Sequence, residues 1–187
     1  MYRYLVRQLQ FIQWQLDREP GRRWILKTPP YLLTLPALAD VFPGATMVMT
    51  HRHPKDSVPS LLRGCEQALQ ANGQVVDRQA FLDAWLTNQQ VAMARYMEFR
   101  DGPRGDRFVD IGYSELVRDS VSCARRVYEA NGVPFTVDNV RRIEKWERDH
   151  PQHASGTWSY DLADYGLTEA SIDEMFGDYI NRYGHLF

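Results

Sequence analysis

The sequence predicts an α/β domain built around a largely parallel sheet. Short apolar runs at residues 24–26, 45–50 and 107–111 are typical of strands that are covered on both faces. Segments with helical spacing of apolar residues separate these runs along the chain. Because a parallel neighbour can be reached only through a crossover, strands that alternate with helices indicate a parallel sheet.

The predicted helices account for most of the chain. In each of them apolar residues recur at helical spacing, and clusters that contain Gly or Pro follow most of their ends. For the helix that begins at Asp56, either Asp56 or Ser57 could cap the start, with Pro59 in the first turn. The predicted ranges are 2–16, 31–41, 56–70, 78–99, 120–131, 137–148 and 168–183, with an irregular segment at 150–165.

Composition narrows the possible function classes. The 187 residues, 44% of them hydrophobic, suffice for one domain spanning residues 1–187. The 22 basic and 24 acidic residues nearly cancel, which argues against a nucleic-acid or membrane partner.

Cys65 and Cys123 form no CxxC pattern, so we expect neither a disulfide framework nor a thiolate metal site. Without a secretory signal or an apolar run of membrane-spanning length, a cytoplasmic setting is expected.

The segment from His51 to Ser60 carries the groups of an anion site. It leaves a predicted strand and enters a helix, and ligands of parallel sheets bind at the carboxyl ends of strands. The helix N-terminus offers N–H groups, Arg52 offers a fork of donors, and Ser57 and Ser60 add hydroxyls, so the segment suits a phosphate. The alternative is structural: Arg52 forms a salt bridge with a neighbour and Ser57 only caps the helix.

These residues resemble the sulfotransferases that use 3'-phosphoadenosine-5'-phosphosulfate (PAPS), and the segment from Tyr160 to Tyr183 resembles the bacterial members. The motifs WILKTP, FPGA and HRHP follow the family order of strand, lysine, helix, turn, strand and loop. In that family an arginine and a serine eight residues later hold the 3'-phosphate of PAPS, and Arg52 and Ser60 reproduce this spacing. The later motif FVDIGYSELVRD gives Tyr113 the place of a tyrosine near the adenine, and Gly156 is what matches the family's C-terminal 3'-phosphate loop.

The resemblance implies a fold and an activity. The fold is a P-loop-NTPase-like, three-layer α/β domain with a mostly parallel sheet. The activity is transfer of a sulfuryl group from PAPS to a hydroxyl or amine of a small-molecule acceptor, with adenosine 3',5'-bisphosphate as the other product and no metal.

One family element has no counterpart in the chain. The family's Gly-rich loop, which cradles the 5'-phosphosulfate after the first strand, has no matching GxxGxxK or GxxxxGK pattern. We therefore expect a partial domain that lacks its first strand and loop, or an inactive member that binds only the 3'-phosphoadenosine half. An exposed sheet edge would then favour a homo-oligomer. The same missing loop argues against a kinase-like nucleotide enzyme.

Sulfuryl transfer needs charge stabilisation and a base that takes the acceptor's proton. The resemblance implies that Lys27, after the first predicted strand, stabilises negative charge on the bridging oxygen. Family members often place a histidine just after this lysine, where this chain has Pro29 and Tyr31. Tyrosine, which titrates near 10, is a poor base at neutral pH. His51 or His53 could substitute for it, although histidines at strand exits are more often structural.

The histidines raise one further alternative. His51, His53, His150 and His153 form two closely spaced pairs that could in principle meet at a zinc ion. No carboxylate or cysteine completes a familiar ligand spacing, so we expect no metal site.

Overall fold

The computed structural model describes residues 2–16, 23–151 and 161–187. The chain divides into two units. The smaller unit contains Met1–Ala45 and Val91–Gly105, and the larger unit contains Thr46–Gln90 and Asp106–Phe187. The single domain expected from the length of the chain stays a prediction.

Eight α-helices and two strands occur in the described ranges. Four short 3-10 turns accompany them, at Pro29–Thr34, Gly105–Arg107, Leu162–Tyr165 and Gly184–Leu186. In chain order the elements are α1 (Tyr2–Gln15), α2 (Leu35–Val41), β1 (Met47–His51), α3 (Pro54–Ala71), α4 (Arg78–Asp101), β2 (Phe108–Gly112), α5 (Tyr113–Arg118), α6 (Ser120–Ala130), α7 (Val137–Asp149) and α8 (Glu169–Tyr183).

The two strands of the larger unit pair in parallel, as the sequence predicted. Met47 lies opposite Phe108, and the register continues to His51 opposite Gly112. Both strands therefore end side by side at one edge, which is the edge where parallel sheets bind ligands. The predicted strands 45–50 and 107–111 each end one residue later than expected.

The predicted strand at residues 24–26 is wrong. Residues 23–28 have no regular secondary structure, and the side chain of Ile25 is 94% exposed. A strand needs a neighbour that pairs with its N–H and C=O groups. Among the described residues, only β1 and β2 form such a pair. An apolar run indicates a strand, but it does not supply a pairing partner.

Several predicted helices begin elsewhere than expected. Residues 31–41 divide into the 3-10 turn Pro29–Thr34 and the helix α2, and residues 113–118 form the unpredicted helix α5. The irregular segment 150–165 lies partly outside the described residues, and its last residues form a 3-10 turn. The other predicted helices agree within two residues at either end.

The start of α3 differs because of a proline. Pro54 occupies the first helical position, where its missing N–H is no loss and its fixed φ suits the helix. His53 becomes the N-cap, and its Nδ1 accepts a hydrogen bond from the N–H of Lys55 at 3.2 Å. The expected cap at Asp56 or Ser57 is therefore wrong, and Pro59 lies inside the helix.

Helix α8 supplies much of the core of the larger unit. Its start is fixed by a capping box in which Thr168 and Ser171 exchange hydrogen bonds. The buried residues on its inner face are Ile172, Phe176, Tyr179 and Tyr183, and the same unit buries Val58, Leu62, Ile111 and Cys123. No helix in the described part of the chain combines the length and the apolar character that a membrane crossing requires.

Candidate functional site

Arg52 and Tyr113 meet at the carboxyl edge of the sheet. Arg52 directly follows β1 and Tyr113 directly follows β2, so the parallel register places them beside each other. The guanidinium carbon of Arg52 lies 4.5 Å from the centroid of the Tyr113 ring. Such stacking orients the guanidinium while its N–H groups stay available to an anion. Two of the residues with predicted nucleotide roles are thus brought together.

Ser57 and Ser60 lie on the helix that follows Arg52. Both are half-buried residues in the N-terminal part of α3. The backbone N–H groups of this first turn are already engaged, because those of Asp56 and Ser57 donate to the carbonyl of His53 at 3.0 and 3.1 Å. Side chains are therefore the donors best suited to an anion here, rather than the helix N-terminus that the sequence suggested.

His51 is enclosed in the interior of the larger unit. Its exposed fraction is 0%, and its ring stacks on Tyr183 with centroids 4.5 Å apart. Nδ1 lies 3.0 Å from the hydroxyl oxygen of Tyr179, and Nε2 lies 3.0 Å from Oδ1 of Asp110. A ring without exposed surface and with both nitrogens engaged cannot reach an acceptor molecule. The geometry favours the structural role that the sequence left open.

Tyr179 connects this histidine to the site. Its hydroxyl lies 3.0 Å from Nδ1 of His51, and Arg52 is the next residue of the chain. Burial, followed by the neighbouring Tyr183, raises the pKa of Tyr179 well above the ordinary value for tyrosine. The hydroxyl therefore keeps its proton at neutral pH. Sequence reasoning assigned no role to Tyr179 or Asp110. The signals that could have found them were a polar residue inside a strand, Asp110, and two tyrosines four positions apart on one helix face, Tyr179 and Tyr183.

The end of the chain packs against the same sheet edge. Phe187 lies edge-on to the His53 ring, with centroids 5.2 Å apart, and its ring lies 5.7 Å from that of Tyr179. A Cβ added to Gly112 would overlap the carbonyl oxygen of Leu186. Glycine at the end of β2 thus permits a close backbone approach next to Tyr113.

The other predicted site residues lie elsewhere. Lys27 belongs to the smaller unit and is an exposed residue of the irregular stretch 23–28. Tyr31, in the same unit, is half-buried in a 3-10 turn, and its ring lies 6.0 Å from that of Tyr2. Gly156 lies outside the described residues. No cluster of three or more His, Cys, Asp or Glu suited to a metal ion occurs in the described ranges.

Comparison with known protein families identifies the family of this chain. A model described as "Sulfotransferase family" matches residues 2–137, which is most of the chain. The chain belongs to the sulfotransferase family. The matched range includes Lys27, the segment from His51 to Ser60, and Tyr113.

Named relatives agree with this assignment. The omega-hydroxy-beta-dihydromenaquinone-9 sulfotransferase Stf3 of Mycobacterium bovis and the protein of the same name from Mycobacterium tuberculosis are each 25% identical over 162 residues. The match covers 86% of this chain and 41% of either relative. The chain thus spans less than half the length of these curated sulfotransferases.

Solved sulfotransferase structures confirm the predicted fold class. Sulfotransferase STF9 from Mycobacterium avium superposes with a TM-score of 0.82 at 28% identity, over 97% of this chain and 46% of that protein. Sulfotransferase STF1 from Mycobacterium tuberculosis H37Rv gives a TM-score of 0.61 at 24% identity, over 84% of this chain and 40% of that protein. The α/β fold of the P-loop-like class is therefore present.

Proposed function

We propose that this chain is part of a sulfotransferase that moves a sulfuryl group from PAPS to a hydroxyl or amine of a small-molecule acceptor. The pairing of Arg52 with Tyr113 at adjacent strand ends carries the proposal. An arginine fork suits a phosphate, and a neighbouring aromatic ring suits a purine face. The family assignment supports a sulfate donor, and its resemblance to PAPS enzymes supplies the identity of that donor.

Each predicted residue receives a role in this proposal. Arg52, Ser57 and Ser60 hold the 3'-phosphate through charged and hydroxyl donors, and Tyr113 lies along the adenine. Gly156 keeps its proposed place in the C-terminal 3'-phosphate loop. Sulfuryl transfer develops negative charge on the bridging oxygen, which an ammonium group close to it stabilises. We assign that role to Lys27.

Two residues, Tyr31 and His51, are candidates for the group that takes the acceptor's proton, and they differ in their surroundings. Tyr31 follows Lys27 by four residues and keeps its proposed role as the group that takes the acceptor's proton. His51 is enclosed and hydrogen-bonded at both ring nitrogens, so we assign it to positioning rather than to proton transfer.

The acceptor is proposed to be a hydroxyl compound in the first instance. The Stf3 relatives are named as sulfotransferases of an omega-hydroxy compound, which supports a hydroxyl rather than an amine. The cytoplasmic setting and the homo-oligomer stay predictions.

Calorimetric titration with adenosine 3',5'-bisphosphate tests the nucleotide half of the proposal. Loss of charge-assisted hydrogen bonds worth about 1.5–3 kcal/mol predicts that Arg52→Ala weakens binding roughly 10- to 150-fold. Arg142→Ala is the matched control, because Arg142 forms an exposed ion pair with Asp138 on α7. Equal affinities of the wild type and Arg52→Ala would contradict the proposed 3'-phosphate site.

Transfer is tested next, with PAPS and a series of alcohols. Appearance of a sulfated alcohol would support the full activity. Tight binding of the bisphosphate without any transfer would support the 3'-phosphoadenosine-binding role that the sequence also allowed.

A further inference from the structure

We infer that a buried hydrogen-bond relay positions the Arg52–Tyr113 pair. It runs from the hydroxyl of Tyr179 through the ring of His51, which directly precedes Arg52, to the carboxylate of Asp110, with His51 neutral and protonated on Nε2. The relay rests on the proposed function for the identity of what the pair binds. Its own geometry is independent of that ligand.

The direction of the relay follows from counting protons. A carboxylate only accepts hydrogen bonds, so Nε2 of His51, which lies 3.0 Å from Oδ1 of Asp110, carries the proton of that bond. A neutral ring that is protonated on Nε2 accepts at Nδ1. The hydroxyl of Tyr179, 3.0 Å from Nδ1, therefore donates its proton to the ring. Each donor in this arrangement has an acceptor.

The surroundings of His51 make a lost hydrogen bond costly. The ring has no exposed surface, so a hydrogen bond lost at either nitrogen is not replaced by bulk water. Tyr179 and Tyr183 face it from α8 and Asp110 faces it from β2. The high pKa of Tyr179 is consistent with a hydroxyl that donates its proton.

The position of the relay explains why it acts on the site. His51, at its centre, is the last residue of β1 and directly precedes Arg52, and Asp110, at one end, lies on β2 three residues before Tyr113. The relay therefore links both strand exits to each other and to α8. His51 and Tyr179 act as positioning residues: they set where the Arg52 guanidinium and the Tyr113 ring lie without touching the nucleotide.

Nitrogen-15 NMR of histidine-labelled protein tests the relay without any ligand. The inference predicts that His51 is a neutral Nε2–H tautomer at neutral pH, recognised from its ring nitrogen shifts. The resonances of His51 are assigned by elimination, using single substitutions by Gln at the other four histidines, His53, His150, His153 and His185. A ring protonated on Nδ1, or on both nitrogens, would overturn the relay.

The effect on the site is tested with Tyr179→Phe. This change removes one hydroxyl, and we expect the amide resonance of Arg52, the residue next to His51, to move and the affinity for adenosine 3',5'-bisphosphate to fall about 2- to 10-fold. Tyr165→Phe is the control, because it removes a comparable hydroxyl that donates to Glu66 at 3.2 Å. The control should leave both the Arg52 amide and the affinity unchanged.

The outcomes separate the relay from the proposed function. Wild-type affinity together with an unshifted Arg52 amide in Tyr179→Phe would overturn the relay. If the wild type does not bind the bisphosphate, the proposed function fails, while the tautomer and the Arg52 amide still decide whether the relay exists. Should Tyr179→Phe not fold, two other results decide. An Nδ1–H tautomer in the wild type, or wild-type affinity for the bisphosphate in Asp110→Asn, would overturn the relay.

Discussion

Replacing Gly112 by alanine should destabilise the larger unit and its candidate site. The backbone of Gly112 is extended, with φ −69° and ψ 137°, so the backbone conformation itself accepts alanine. The added Cβ, however, would lie well inside 3.0 Å of the carbonyl oxygen of Leu186. That oxygen belongs to the 3-10 turn Gly184–Leu186, so the turn must move. Phe187, which contacts His53 and Tyr179, would move with it.

The size of the effect follows from overpacking. Forcing an extra methyl group into a filled space costs about 1–3 kcal/mol of unfolding free energy. For a chain of this size each kcal/mol lowers the melting temperature by about 2–4 °C, so we expect a decrease of roughly 2–12 °C. Circular dichroism during heating measures the melting temperature, and calorimetry measures the affinity for adenosine 3',5'-bisphosphate, which should also fall.

Gly64→Ala is the matched control for this prediction. Gly64 lies inside α3, and an added Cβ there meets no heavy atom within 4 Å. Alanine in a helix interior should stabilise the protein by about 0.5–1 kcal/mol. The same chemical change thus has opposite signs at the two positions. A Gly112→Ala protein as stable as the wild type, with unchanged affinity, would refute the packing of the C-terminal turn against β2.

Two further predictions concern stability. Ile172→Ala should lower the unfolding free energy by about 2–5 kcal/mol in urea titrations, because Ile172 is fully buried in α8; a loss below about 1 kcal/mol would contradict its place in the core. Asp119 caps α6, and its pKa lies below the ordinary 3.8 because the hydroxyl and then the N–H of Ser122 donate to it. A depressed carboxyl pKa stabilises the fold above the ordinary value and ceases to do so as pH falls through the depressed one. The stability advantage over Asp119→Asn should therefore shrink in acid, and an advantage constant with pH would contradict the charge effect.

The sequence predicted the parts of the site that depend on local pattern. The strands before His51 and after Arg107 were found because buried parallel strands leave continuous apolar runs. Their parallel pairing then places Arg52 beside Tyr113 without further information. The resemblance of the motifs to the sulfotransferase family pointed independently to Arg52 and Tyr113.

Features that depend on distant partners were not predicted. Residues 24–26 are apolar enough for a strand, yet the sequence pattern says nothing about a neighbour that would pair with them. The environment of His51 is formed by Tyr179, 128 residues later, and by Asp110, 59 residues later. No periodicity links positions so far apart, so burial of this histidine became visible only in three dimensions. His53 as a cap was missed because histidine is an uncommon N-cap.

The most direct test of the central claim compares two nucleotides. Adenosine 3',5'-bisphosphate and adenosine 5'-monophosphate differ only in the 3'-phosphate, which Arg52 is proposed to hold. We predict that the wild-type chain prefers the bisphosphate by roughly 10-fold or more, since one charge-assisted contact contributes at least that much. In Arg52→Ala this preference should shrink by roughly 10-fold or more, because only the hydroxyl donors Ser57 and Ser60 and the loop around Gly156 are then left for the 3'-phosphate. Equal affinities in the wild type, or an undiminished preference in Arg52→Ala, would contradict the assignment of the loop after β1 to the 3'-phosphate.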